Sequence, residues 1–430
     1  MFLNENSPTG RKITLAATAL REAERPLRIL GLLAWPLEVR ERFLAAGGRE
    51  MPRPAYESAD SSPVRDRLAE ARPLIRQAGP AREWLERIAR RIETAADMVD
   101  SIGTRDFFEA SCTLYGAPSV QLPDSTATPL DLARRLRQII GQLNHLDLGA
   151  PPQAHVEAGT VARRMEVAVR RFFGDEAPQI ELVDNLSANA TAGPDRIRIR
   201  STAHFTDRDV QQLIHHEAGI HVATGLNGRH QPNLPILASS HPGTTRTQEG
   251  LAVFSEFITG TMDLDRLSRL ADRVLAIDMA AQGADFLEVY NHFQEQGATE
   301  KIAYEQARRV FRGGLLEGGA PFTKDVVYLD GLLRVHEFLR TVVATGRADC
   351  LQLLFCGKLD LEDIPVLGRM AELGLLKAPR YLPEWAADRR FLVAYLAYSG
   401  FLGQVRLDDA AVHYTDLIDK LPPIRFTTEV

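Results

Sequence analysis

Apolar residues recur at helical spacing along most of the chain. In segment 83–101, Trp84, Ile88, Ile92, Ala95 and Met98 follow that spacing, which predicts a helix with one buried side. Segments 128–146 and 158–173 repeat the pattern. The period changes at 179–200. Ile180–Val183 is a short apolar run, and Arg196-Ile197-Arg198-Ile199-Arg200 alternates strictly, which predicts strands of a small sheet with one face buried. Gly193-Pro194-Asp195 supplies turn chemistry between them. Helical spacing returns after Thr206-Asp207-Arg208-Asp209, a capping-box start. Later helices are predicted at 247–260, 265–282, 284–296, 299–312, 323–345, 361–373 and 390–400, with Gly346 and Gly374 as stops. Breaks fall at Arg53-Pro54, Gly116-Ala117-Pro118 and Ala150-Pro151-Pro152. The expected fold is α+β and predominantly α-helical. It has an N-terminal helical region at 1–155 and a second domain at 156–430 that carries the small sheet.

Composition narrows the class. Of 430 residues, 45% are hydrophobic and 25% charged, ordinary values for a globular chain. The net charge of −6 gives no global basic field, so nucleic acid is not an expected partner. An anion site must therefore be a local cluster of Arg or Lys. Cys112, Cys350 and Cys356 form no CxxC pair, which argues against a disulfide framework or a cysteine zinc site. The first residues lack a signal-peptide pattern, and no apolar run is long enough to span a bilayer. A cytoplasmic protein with no membrane partner is expected.

The dense chemical cluster is His215-His216-Glu217-Ala218-Gly219-Ile220-His221. Zinc proteases commonly carry His-Glu-x-x-His, with both His on one helix face. Here one more residue separates His216 from His221. On a regular helix five residues rotate by about 500°, leaving the two imidazoles about 140° apart. A π-turn of about 4.4 residues reduces this to about 50°. A π-distortion is therefore predicted near Ala218–Ile220, eased by Gly219. A catalytic zinc takes three protein ligands and keeps one position open. Glu249, in Gln248-Glu249-Gly250-Leu251-Ala252, is the candidate third ligand, and its small neighbours allow a close approach. His230 and His241 compete for that role. Zinc lowers the pKa of a bound water toward ~7, and Glu217 is placed to accept its proton and pass it to the leaving amine.

Three segments, HHEAGIH, TQEGLA and FTKDVVYLDG (Phe322 to Gly331), occur in this order. In this the chain resembles the flavohemoglobin expression-modulating QEGLA-motif family, which is related to the microtubule-associated tyrosine carboxypeptidases. The likeness extends to Arg309–Gly313, Leu114–Pro118, Gly225–Asn227 and Gln231-Pro232, and it covers about residues 28 to 405. The resemblance implies a zincin-like metallopeptidase domain with one zinc ion. His216, His221 and Glu249 would be its ligands and Glu217 the catalytic base. The negative net charge and the lack of a visible tubulin-binding region argue against carrying tubulin over as substrate. A peptide or protein C-terminus is expected instead.

Two further groups follow from the chemistry. Lys324 and Tyr328 are one helical turn apart and can face one cleft, and Tyr328 is the candidate oxyanion donor. Arg309 and Arg312, three apart, together with Lys324 are candidates for gripping a terminal carboxylate, because a guanidinium fork bonds both oxygens. Strand 196–200 or segment Ser187–Ala190 is the candidate edge for aligning a peptide. Two alternatives stay open: a non-catalytic regulator with a structural metal site, and a zinc hydrolase of non-peptide amides.

Overall fold

The computed structural model describes residues 7–402 apart from 58–59, 123–124, 144, 147–148, 150–151, 185 and 187. Ala150-Pro151 of the expected break, Asn144 of segment 128–146 and Ser187 of the candidate edge thus fall outside the described residues, and the helix of that segment ends at Gly141, short of the expected 146. Within them the protein is α+β and predominantly helical, with two small sheets. Among the described residues no helix is long and apolar enough to cross a membrane.

The predicted helices form. Arg82–Asp100 buries Trp84, Ile88, Ile92, Ala95 and Met98 on one side. Helices at Pro129–Gly141, Leu264–Ala281, Phe286–Glu295 and Glu300–Phe311 fall where the spacing puts them. Gly346 and Gly374 sit at φ +71° and +75°, a region open to glycine at little cost and suited to ending a helix. The largest core cluster joins Leu20, Ile75 and Trp84 from the N-terminal helices to Leu251, Phe254 and Trp385 from the second half of the chain.

The sheet departs from the expected two strands. Gln179–Val183 (β2) pairs parallel with Arg196–Arg200 (β4), in register from Gln179↔Arg196 to Val183↔Arg200. Parallel strands need a connection that crosses back. Here that connection contributes a third strand, Ala190–Ala192 (β3), antiparallel to β4. The order is β2-β4-β3. Strand 196–200 is therefore the centre of the sheet and not an edge, because both its sides are already hydrogen-bonded. Ile197 and Ile199 are fully buried against Val161, Met165 and Val169 of helix Ala158–Phe173. On the outer face Arg196 and Arg198 flank Glu181 at 3.1 and 3.2 Å. A two-residue ladder, Val156–Glu157 (β1) with His204–Phe205 (β5), leads into the next helix.

Two helices meet backbone to backbone. Pro242–Ile258, which carries the QEGLA segment, crosses Val327–Ala344 at Gly250 and Gly331. A Cβ on Gly250 would lie 2.2 Å from the Gly331 carbonyl. Only paired glycines permit that approach, and it brings the start of one helix onto the side chains of the other.

Candidate metal centre

The histidine helix starts at Asp207 under a capping box. The Thr206 hydroxyl accepts from Asp209 N, and the Asp209 carboxylate accepts from Thr206 N. After Leu213 the helix widens into a π-helix over Ile214–Val222 and returns to α at Ala223–Arg229. The whole HHEAGIH segment lies in the widened part. The offset expected on a regular helix is thereby removed, and the His216 and His221 rings stand with centroids 4.9 Å apart.

Glu249 reaches them from the neighbouring helix. Its Oε2 lies 3.6 Å from Nε2 of His216 and 3.6 Å from Nε2 of His221. Among the described residues, His216, His221 and Glu249 form the group of possible ligands, with all donor atoms within 4.8 Å of one another. Zinc bonds of 2.0–2.1 Å place tetrahedral donors roughly 3.4 Å apart, so two imidazoles and a carboxylate so spaced fit that ion. The other oxygen of Glu249 is engaged differently. Oε1 accepts from Lys324 Nζ at 3.2 Å and from the Tyr328 hydroxyl at 3.3 Å. Burial pushes the Glu249 carboxyl up, but Lys324 and the two imidazoles outweigh it and hold the group well below the usual carboxylate range.

His230, His241 and His215 lie elsewhere. His230 Nε2 is 2.7 Å from Glu176 Oε2. His241 is buried beside Arg91 and Asp360, and burial with the nearby Arg91 lowers its pKa to about 3. His215 faces a separate cavity with Phe172, Ala218 and Trp385.

A cleft of about 440 Å³ opens over the three donors. Glu217, 8% exposed, lines it, and so do Arg309, Arg312, Lys324 and Tyr328. The sequence-predicted groups therefore share one cavity. Leu27 to Gly31 and Tyr115 complete its wall, so N-terminal residues shape the cleft. β3, an edge strand of its sheet, also lines it, through Ala190, Thr191 and Ala192.

Several contributors escaped the sequence reading. Asp325 sits inside the basic group: its Oδ2 is 2.5 Å from Arg309 Nε and 3.7 Å from Arg273 Nε. Arg273 also stacks its guanidinium 4.5 Å from the Tyr328 ring centroid. Burial lowers Arg273 and Arg312 to about 10, and both still carry charge at neutral pH. Arg273, Arg309, Arg312 and Lys324, buried or partly buried, thus face Asp325 and Glu249, and with Glu217 in the cleft the cations outnumber the carboxylates four to three, a surplus that favours an incoming anion. Lys358, hydrogen-bonded to Ser240 Oγ at 2.5 Å, lines the cleft as well. Glu256 receives His216 Nδ1 at 2.6 Å. Its signal was the recurrence of an acid seven residues after Glu249 on one helix.

Comparison with known proteins gives a consistent result. A family model described as microtubule-associated tyrosine carboxypeptidase matches residues 41–404. The rat microtubule-associated tyrosine carboxypeptidase 1 (Rattus norvegicus) is 26% identical over 180 residues, covering 41% of this chain and 36% of that protein. The human protein of that name (Homo sapiens) is 26% identical over 206 residues, covering 47% of this chain and 40% of its own length. The match thus spans about two fifths of these relatives. A crystal structure of a lipoprotein from Colwellia psychrerythraea aligns with 80% of this chain and 64% of that one, at 13% identity. Its TM-score of 0.38 is too low to establish a shared fold.

Proposed function

Because this chain belongs to the microtubule-associated tyrosine carboxypeptidase family, whose model spans residues 41–404, we propose that it is a zinc-dependent carboxypeptidase. It removes residues from the C-terminus of a peptide or protein. The observation that carries this reading is the convergence of His216, His221 and Glu249 within 4.8 Å, in a cleft whose lining holds more cations than carboxylates. His216, His221 and Glu249 would hold one zinc ion. When bound, the ion supplies Lewis-acid polarisation of the scissile carbonyl and acidifies the attacking water.

The chain's own groups do the rest. Glu217 accepts the proton of the attacking water and returns it to the leaving amine. The Tyr328 hydroxyl donates toward the carbonyl oxygen as charge develops there. Arg309, Arg312 and Lys324 bind the terminal carboxylate; Arg309 is held in place by Asp325. The free edge of β3, with alanines on either side of Thr191, is suited to hydrogen-bond an extended peptide by strand addition. That three ligands and no fourth histidine or acid meet among the described residues favours an open, catalytic site over a closed structural one.

The test is zinc content together with hydrolysis. The purified chain is expected to hold one zinc and to cleave peptides with free C-termini but not amidated ones. Glu217→Gln should keep the zinc and lose about 10²–10⁴-fold in turnover. Full turnover in that variant refutes the base role. Equal cleavage of amidated peptides refutes the carboxypeptidase mode.

A further inference from the structure

Glu256 is fully buried, one helical face below Glu249. Seven residues turn an α-helix by about 700°, 20° short of two full turns. The same stripe of helix Pro242–Ile258 therefore presents both carboxylates to the histidine helix. His216 lies between them. Its Nε2 faces Glu249 Oε2 at 3.6 Å, and its Nδ1 meets Glu256 Oε1 at 2.6 Å. Glu256 is itself clamped. Arg266, 7% exposed, places Nε 2.8 Å from Oε2 and Nη2 2.9 Å from Oε1, a two-pronged bond to both oxygens. Such a fork leaves the carboxylate no freedom to rotate.

We infer that the Arg266–Glu256 pair is the positioning device for His216: Glu256 accepts the Nδ1 proton, fixes the ring, and leaves the Nε2 lone pair aimed at the point shared with His221 and Glu249. This rests on the metal reading above. Among the described residues His221 has no such buried carboxylate behind it, so His216 is the ligand whose orientation is set from outside the site. A carboxylate behind a ligating imidazole also raises its basicity.

The experiment compares zinc affinity, by competition with a chromophoric chelator, with the unfolding midpoint of the zinc-free chain. Glu256→Gln is expected to bind zinc about 10–100-fold more weakly. Arg266→Lys keeps the charge but loses the fork, and a smaller weakening is expected. Should Glu256→Gln alone unfold because Arg266 is left uncompensated, the double variant Glu256→Gln with Arg266→Gln removes both charges and is measured in its place. A purely structural pair lowers the unfolding midpoint and leaves zinc affinity unchanged, and any folded variant without the Glu256 carboxylate that binds zinc as tightly as the parent overturns the inference. If the parent itself takes up no zinc, the metal reading fails first and this role falls with it.

Discussion

Glu249 shows how one side chain can serve two partners. Oε2 looks toward the imidazoles while Oε1 is held by Lys324 and Tyr328. The hydroxyl of Tyr328 is thus beside the three candidate ligands, with its ring supported by Arg273. Tyr328→Phe keeps the ring and removes only the donor. It is expected to lower kcat by about 10²-fold with KM nearly unchanged, in steady-state assays on a free peptide. An unaltered kcat removes Tyr328 from the mechanism. At this scale the sequence was informative: His216, Glu217, His221 and Glu249 were named from residue type and spacing, and they meet in one cleft. Asp325, Arg273 and Glu256 were not, because an acid or base in a helix reads as surface until its partner is known.

At the scale of elements, two local departures from regularity build the site. The π-helix turns His216 and His221 toward one point, and the Gly250–Gly331 crossing lets Lys324 and Tyr328 reach Glu249. The first was legible, since spacing and helix geometry together required it. The glycine partner was not, because small residues on one helix do not say which helix will press against them. Gly250→Ala places a methyl group 2.2 Å from backbone carbonyl atoms. Overpacking of this kind costs typically about 1–3 kcal/mol, occasionally more. Thermal unfolding should show the loss, and the surviving folded fraction should hydrolyse more slowly because the two helices have been pushed apart. A variant as stable and active as the parent would show that the crossing is not needed.

At the scale of the molecule, charge is organised rather than abundant. The chain carries −6 overall, yet its cleft gathers Arg28, Arg309, Arg312, Lys324 and Lys358. Burial also sets a pH limit on the whole fold. His241 is neutral in the folded chain, with its pKa lowered to about 3 by burial first and by Arg91 second. The unfolded chain protonates it near 6.5. Between these values the unfolded state binds more protons, so stability falls as pH drops below about 6.5. His241→Asn supplies a good helix N-cap and no titrating ring. Relative to the parent it is expected to gain about 2 kcal/mol on going from pH 7.5 to pH 5, at 1.36 kcal/mol per unit. Urea unfolding at the two pH values measures this, and an equal difference at both would exclude the His241 contribution.

The sequence by itself determined the periodic elements, the caps and glycine stops, and it singled out His216, His221 and Glu249, which the fold brings together. These depend on residues within a turn or two of one another, or on chemistry that few residue types can perform. Tertiary structure alone decided the parallel pairing that made strand 196–200 the centre of its sheet and passed the free edge to Ala190–Ala192. It also decided which acid backs His216 and which carboxylate holds Arg309. Those choices are contacts between segments distant in the chain, fixed by the joint packing of helices whose separate patterns carry no record of their partners.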